Sequence, residues 1–266
     1  MTQRPRKRFG QHFLHDRAVI QRIVDAICPD QGIPIVEIGP GRGALTVPLL
    51  QRTGRLDVIE IDRDLVALLA EQCRELGELH IHSADALEFN YCRLHETKIK
   101  IVGNLPYNIS TPLLFHLLDQ IHCIHEMTFM MQMEIVDRIC AAPGGGDYGR
   151  LSVMVQSRCI SERIMTVGPG AFTPAPRVKS SLIRLTPHSD SEFMIQDTRL
   201  FSGIVRCAFS QRRKTLRNSL REYLGPADFE RLGLAPSVRA ETLSVQDYTN
   251  ISNYLTSTLP VDNPVD

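Results

Sequence analysis

The sequence has no C-x-x-C pair: its 7 cysteines, Cys28, Cys73, Cys92, Cys123, Cys140, Cys159 and Cys207, are odd in number and scattered over 266 residues. That pattern indicates neither a disulfide framework nor a zinc knuckle, and it fits a reducing compartment. No run approaches the roughly 20 apolar residues a membrane span needs. The basic N-terminus lacks the apolar stretch and small-residue cleavage site of a secretory signal. The expectation is a soluble, cytoplasmic chain with no membrane partner. Net charge is missing too, the formal balance being +0, which taken alone argues against a nucleic-acid partner. Internal repeats and long low-complexity tracts are likewise absent.

What charge there is lies unevenly. Arg4, Arg6, Lys7 and Arg8 crowd the N-terminus, and Arg199, Arg206, Arg212, Arg213, Lys214, Arg217 and Arg221 follow one another with no acid among them. The apolar positions Leu200, Ile204, Ala208 and Phe209 leave the later basic residues to face solvent or phosphate. Arg6, Lys7, Arg8, Arg212, Arg213, Lys214 and Arg217 are therefore candidate RNA contacts, of the kind that position a backbone without reading its sequence.

At 43% hydrophobic, the chain can bury one large core, or a larger domain and a smaller one. From Ile35 to about Gln132, short β-branched runs at 35–38, 56–61, 79–82, 99–102 and 127–131 alternate with helix-like segments, a rhythm of βαβ units around a parallel sheet. In the helix after the second run, Leu65, Leu68, Leu69 and Cys73 are spaced as one apolar stripe. The runs at 151–155 and 180–185 read as further strands, joined through Pro169, Pro174 and Pro176. Composition turns polar near Pro187-His188-Ser189-Asp190-Ser191, and the remainder is helical in pattern. The expected division is 1–189 for a catalytic domain and 190–266 for a helical, RNA-binding one.

The first run leads directly into Gly39-Pro40-Gly41-Arg42-Gly43-Ala44. Glycines suit a sharp turn that a ligand must approach closely, because a Cβ would block both. Letter by letter this is also a G-x-G-x-x-A dinucleotide fingerprint, with Glu60 near the spacing of a ribose-binding acid. Context separates the two. A pyrophosphate wants free N–H groups at the helix start, whereas Pro40 removes one donor and Glu37 adds negative charge beside the loop. A cationic sulfonium cofactor with an amino-acid end fits better, namely S-adenosylmethionine. Glu60 would accept from its ribose hydroxyls, and Asp85, after the third run, from its adenine amine.

The fourth run ends in Val102-Gly103-Asn104-Leu105-Pro106-Tyr107-Asn108-Ile109-Ser110. The exocyclic nitrogen of adenine is a weak nucleophile because its lone pair is delocalised into the ring. Fixed acceptors for its hydrogens, the Asn104 side-chain oxygen and the Leu105 carbonyl, would favour a pyramidal nitrogen and stabilise the charge that develops there. Pro106 restricts the residue before it and so holds that carbonyl. Tyr107 would stack on a base taken out of its helix. The alternative is a plain strand-to-helix turn capped by Ser110 or Thr111.

With these motifs in place, the chain resembles the ribosomal RNA adenine N6,N6-dimethyltransferase family, and within it the bacterial small-subunit (16S) branch. The resemblance covers nearly the whole chain. It runs from Lys7-Arg8-Phe9-Gly10-Gln11-His12-Phe13-Leu14 through Glu37-Ile38-Gly39-Pro40-Gly41 and the tetrapeptide to Tyr148-Gly149-Arg150-Leu151-Ser152-Val153. Beyond these come Phe172-Thr173-Pro174-Ala175-Pro176-Arg177-Val178 and Gln211-Arg212-Arg213-Lys214-Thr215-Leu216-Arg217-Asn218. It implies a Rossmann-like class I methyltransferase domain, α/β in class, with a smaller all-helical C-terminal domain. It also implies cofactor contacts at His12, Leu14, Gly39, Gly41, Glu60, Asp85, Ala86 and Asn104, and places Phe172 on the target base opposite Tyr107. Many members carry Asn where this chain has His12. The implied substrate is a pair of adjacent adenosines in the 3′-terminal hairpin loop of 16S rRNA, each dimethylated within an immature 30S subunit as part of ribosome biogenesis. The enzyme would be monomeric off the ribosome.

Two histidine groupings, His80-Ile81-His82 and His122-Cys123-Ile124-His125, have no evident carboxylate or cysteine partner at ligand spacing. Both read as ordinary packing or surface residues, and no metal is expected.

Overall fold

The computed structural model describes residues 12–29, 32–189, 192–211 and 214–258. Arg6, Lys7, Arg8, Arg212 and Arg213 lie outside the described residues. The chain divides into two compact units, one of residues 1–136 and 160–187, the other of 137–159 and 188–266.

The first unit opens with β1 (Phe13–Leu14) and α1 (Arg17–Ile27), whose start is capped by the Asp16 carboxylate accepting from the Ala18 and Val19 N–H groups. Then come β2 (Ile35–Ile38), α2 (Thr46–Thr53), β3 (Arg55–Ile59), α3 (Arg63–Gln72), β4 (Glu78–His82), β5 (Ile99–Asn104), α4 (Ser110–Asp119), β6 (Ile124–Gln132) and the first turn of α5 (Met133–Ile139). β7 (Cys159–Val167), β8 (Phe172–Thr173) and β9 (Ser180–Pro187) are the remaining strands among the described residues. Seven strands form one sheet in the order β4-β3-β2-β5-β6-β9-β7, while β1 and β8 form a separate antiparallel ribbon. The neighbours from β4 to β6 are parallel, and β9 runs antiparallel to β6. β2 and β5, buried along almost their whole length, account for the continuous apolar runs at 35–38 and 99–102. The alternation of short runs and helices therefore gives the expected parallel sheet. The α3 stripe is narrower than its spacing predicts: Leu65, Leu69 and Cys73 are buried, but Leu68 is 43% exposed. Leu68 follows Leu65 by three positions and lies at the margin of a stripe set by the i, i+4, i+8 row.

The second unit is helical, with α6 (Arg150–Gln156), α7 (Thr198–Ala208), α8 (Leu216–Ser219), α9 (Pro226–Arg231) and α10 (Val245–Thr258). Val153 of α6 is buried in one cluster with Phe201, Ile204 and Val205 of α7 and with Tyr248 and Ile251 of α10. Two expectations are corrected here. The run at 151–155 is a helix, not a strand, and residues 137–159 belong with the C-terminal helices although they precede 189 in the chain. Strand propensity in Leu-Ser-Val-Met-Val loses to tertiary burial. A local signal was present in Gly149 and Ser152, because the Gly149 N–H donates to Ser152 Oγ at 3.0 Å across the helix start. The Ser152 hydroxyl in turn donates to the Arg138 carbonyl and ties the preceding segment to the helix.

Candidate functional site

Strand order reverses between β3 and β5 on either side of β2, so the carboxyl ends of β2 and β5 bound a crevice at the topological switch point of the sheet. A cavity of about 290 Å³ opens there. Its walls include His12, Leu14, Glu37, Gly39, Gly41, Glu60, Asp85, Ala86, Asn104, Leu105 and Tyr107. Every expected cofactor contact is thus gathered in one place, although the residues come from segments up to 95 positions apart in the chain.

Backbone hydrogen bonds at the strand ends bring this about. The Gly39 N–H donates to the Ile59 carbonyl at 3.0 Å, and the Glu60 N–H to the His82 carbonyl at 3.1 Å, so each loop leaves the sheet alongside the next. Gly39 and Gly41 have φ of 65° and 57°, in the left-handed region that side chains disfavour. A Cβ on Gly41 would also meet the Phe13 ring at 3.3 Å. That ring is covered on its face by the Arg42 guanidinium, 4.3 Å from the centroid. The residue before the tetrapeptide is more constrained still, since a Cβ on Gly103 would stand 2.5 Å from the Ile38 carbonyl oxygen. Glycine is what lets β5 approach the end of β2.

Both acids of the loop region are buried. Glu60, 6% exposed, accepts from the Asp62 N–H at 2.9 Å and from the Gly41 N–H at 3.3 Å, and so braces the glycine loop. Burial pushes its carboxyl above the ordinary range. Glu37, 2% exposed, accepts from Thr46 Oγ1 at 2.6 Å, and burial pushes its carboxyl up to about 8. Glu37 thereby departs from the charge expected of it: by itself it holds its proton at neutral pH and adds no negative charge beside the loop. A cation arriving next to it would favour the ionised form. Asp85 accepts from the Leu87 N–H at 2.9 Å in a local turn while lining the cavity.

The tetrapeptide is held at three points. Asn104 Nδ2 donates to the His12 carbonyl at 3.0 Å, the Leu105 N–H donates to the Met130 carbonyl at 3.1 Å, and the Tyr107 hydroxyl meets Ser180 Oγ at 2.8 Å. Ser110 does not cap α4; its hydroxyl donates to the Tyr107 carbonyl at 3.1 Å, fixing the turn itself. His12 packs against Tyr107 with ring centroids 5.4 Å apart, and its Nδ1 lies 2.7 Å from the Pro174 carbonyl.

Phe172 is not brought to the cavity. It is 3% exposed, opposite Leu14 in the β1–β8 ribbon, with its ring in the hydrophobic core beneath. Residues directly opposite in an antiparallel pair share a face, and Leu14 is both part of that core and a wall of the cavity. Phe172 therefore lies beside a wall of the cavity without lining the cavity itself. Of the expected RNA contacts within the described residues, Lys214 and Arg217 are exposed, Arg217 on the short helix α8.

Several residues of the site escaped the sequence. Ser180, 73 positions from Tyr107, carries no local signal. Tyr91, whose hydroxyl donates to the Ala86 carbonyl at 2.9 Å, belongs to none of the motifs singled out in the sequence. The cysteines also depart from expectation, because Cys92 and Cys123 are joined by a disulfide. Cys92, His122 and Cys123 bring their ligand atoms within 4.8 Å of one another, so His122 does have cysteine neighbours, one of them far away in sequence. His80 and His82 instead meet carboxylates, Glu78 at 2.9 Å and Asp57 at 2.8 Å. Among the described residues, no helix is long and apolar enough to cross a membrane.

Comparison with known proteins points the same way. The chain is 52% identical over 253 residues to ribosomal RNA small subunit methyltransferase A of Nitrosococcus oceani, covering 94% of this chain and 96% of that one. It is 49% identical over 254 residues to the protein of that name from Pseudomonas aeruginosa, covering 95% of each. Among solved structures, it is similar to a dimethyladenosine transferase from Plasmodium falciparum, with TM-score 0.81, 24% identity, and coverage of 92% of this chain and 98% of that one. The 23S rRNA methyltransferase ErmE gives TM-score 0.70 at 24% identity, covering 92% and 99%. At that identity the two structures establish a shared fold, a Rossmann-like methyltransferase architecture with a helical C-terminal part. The family described as ribosomal RNA adenine dimethylase matches residues 2–257. With that match and near-50% identity over almost its whole length, the chain belongs to the ribosomal RNA adenine dimethylase family.

Proposed function

We propose that the cavity binds S-adenosylmethionine and that the chain transfers methyl groups to the N6 amine of two adjacent adenosines in the 3′-terminal hairpin loop of 16S rRNA. The observation that carries this reading is that Asn104-Leu105-Pro106-Tyr107 opens onto the same cavity as Gly39, Glu60 and Asp85. The cavity suits the cofactor in two respects: a glycine cradle that a Cβ would crowd, and buried acids facing a cationic ligand. When bound, the cofactor supplies an activated methyl group on its sulfonium.

The chain's own residues bind, orient and hold. Glu60 would hold the cofactor by accepting from its ribose hydroxyls and Asp85 by accepting from its adenine amine, with Ala86 beside them in the cavity wall. His12 and Leu14 close the cavity from the β1 side. Because Asn104 Nδ2 is committed to the His12 carbonyl, Asn104 Oδ1 is the amide atom available to accept a hydrogen of the target amine. The Leu105 carbonyl takes the second. Both acceptors stabilise positive charge as it develops on nitrogen, so no strong base is needed. Tyr107 offers its ring to the extruded base. Phe172 supports the platform from the core side through Leu14. The helical part, with Lys214, Arg217 and the basic residues outside the described segments, holds the RNA backbone. The chain works in the cytoplasm, as a monomer off the ribosome, on rRNA within the immature 30S subunit, where the modification contributes to ribosome biogenesis.

The test is to incubate the protein with labelled S-adenosylmethionine and under-methylated small subunits and to identify the modified nucleoside. Labelled N6,N6-dimethyladenosine from 16S rRNA is expected. Label in another base, or none with subunits that a related enzyme methylates, overturns the assignment.

A further inference from the structure

Cys92 and Cys123 stand outside the cavity but are tied to both of its working segments. Cys92 lies in the turn Tyr91–Arg93, and Cys123 in the turn Ile121–Cys123 that follows α4. Their disulfide closes a covalent loop of 31 positions that contains β5, the tetrapeptide and α4. Tyr91, next to Cys92, holds the Ala86 carbonyl with its buried hydroxyl at 2.9 Å. The Tyr91 N–H donates to Gln120 Oε1 at 2.8 Å, and Gln120 Nε2 donates to the Phe89 carbonyl at 3.1 Å. Gln120 is the C-terminal cap of α4. The segment carrying Asp85 and Ala86 is thus fastened to the end of the helix that starts beside Tyr107, by one side chain and one covalent bond.

The surroundings of the pair suit exchange chemistry. Both cysteines are half-buried, and the exposed His122 has a ring nitrogen within 4.8 Å of the sulfurs. A cationic imidazole this close to the sulfurs favours a thiolate electrostatically. Cys73 and Cys159 differ, since both are buried and burial pushes their thiols up, that of Cys159 to about 12.

We propose that Cys92 and Cys123 are a reversible thiol–disulfide pair whose oxidation tightens the cavity around its cofactor by fastening the Asp85–Ala86 segment to α4. The placement of the cofactor adenine at Asp85 rests on the functional reading above. The oxidant is a low-molecular-weight disulfide such as oxidised glutathione. One cysteine, its proton lost to solvent, attacks as the thiolate a sulfur of that disulfide and expels one thiolate. The second cysteine thiolate then attacks the mixed disulfide and expels the other. Two protein thiols become one disulfide, and the two expelled thiols carry away both electrons and both protons.

The experiment uses the full chain, equilibrated in reduced or oxidised glutathione and checked by mass for the loss of two hydrogens. S-adenosylhomocysteine is the calorimetric probe. Oxidised protein is expected to bind it roughly fivefold or more tightly than reduced protein. C92S and C123S should lose the redox response and match the reduced wild type. Equal affinities in the two states overturn the proposal. So does retention of one zinc ion per chain by the reduced protein through gel filtration, which would make the trio a metal centre. If the probe binds in neither state, the cofactor reading fails and the clamp is judged by amide exchange. The Leu87 and Glu88 N–H groups, bonded to Asp85, must then exchange faster on reduction, and unchanged rates overturn the clamp.

Discussion

The Tyr107 hydroxyl lies 2.8 Å from Ser180 Oγ, and Ser180 is wholly buried in β9 at its pairing with β6. The ring proposed to stack on the base is therefore anchored at its far end to the rigid sheet. Y107F keeps the ring and loses the anchor. One net hydrogen bond of about 1 kcal/mol corresponds to a loss of roughly fivefold in kcat, with cofactor affinity unchanged. Y107A removes the ring too and should fall much further. Steady-state kinetics on small subunits measures both, and equal losses in the two variants would remove the stacking role.

Asn104 is bound to the N-terminal segment as well as placed for catalysis. N104A should lower methyl transfer on the order of a hundredfold or more while RNA binding by the purified protein stays near wild type. N104D should do no better, because a carboxylate facing the His12 carbonyl has no hydrogen to donate to it. Gel-shift titration beside the transfer assay decides, and parallel loss of both activities would deny Asn104 its assigned role.

Glu37 makes the stability of the ligand-free protein and its cofactor affinity respond to pH in opposite directions. Its folded carboxyl titrates near 8 against an ordinary 4.5, so the native state holds a proton that the unfolded chain has lost. Stability from this group is complete below 4.5 and is lost as pH rises from 4.5 through about 8, at no more than about 1.4 kcal/mol per pH unit. A cationic ligand favours the ionised form, so affinity for S-adenosylhomocysteine, through its ammonium, should climb over the neutral range and level off above about 8. Calorimetry in two buffers of different ionisation heat should register proton release on binding. E37Q should flatten the profile.

G103A tests the close approach of β5 to β2. The added methyl would sit 2.5 Å from the Ile38 carbonyl oxygen, which is backbone and cannot swing aside. Overpacking of this kind costs about 1–3 kcal/mol, which lowers Tm by roughly 5 °C in a chain of this size. Cofactor binding should weaken as well, since the displaced strand end carries Asn104. An unchanged Tm would show that the strands part without cost.

K214A and R217A should weaken RNA binding across sequences alike and reduce the slope of log affinity against log salt by about 0.9 for each phosphate that is no longer neutralised. Affinity for S-adenosylhomocysteine should not move. A changed base preference with an unchanged salt slope would be contrary to a role in holding phosphate.

The sequence by itself determined the parallel sheet, the glycine loop, Glu60, Asp85 and the tetrapeptide at the end of the fourth run, because these depend on short-range patterns: apolar runs, turn glycines and a proline. Tertiary structure alone decided whatever rests on partners far apart in the chain. Leu-Ser-Val-Met-Val is a helix because its buried face packs on α7, against its strand propensity. Glu37 is neutral because burial outweighs its hydrogen bond from Thr46. Phe172 is buried beside Leu14 because β8 pairs with β1. Cys92 finds Cys123 across 31 positions, and Tyr107 finds Ser180 across 73, because the sheet order sets β5, β6 and β9 side by side. Local spacing carries no record of such adjacency, since the chain's register is fixed only once the whole sheet has closed.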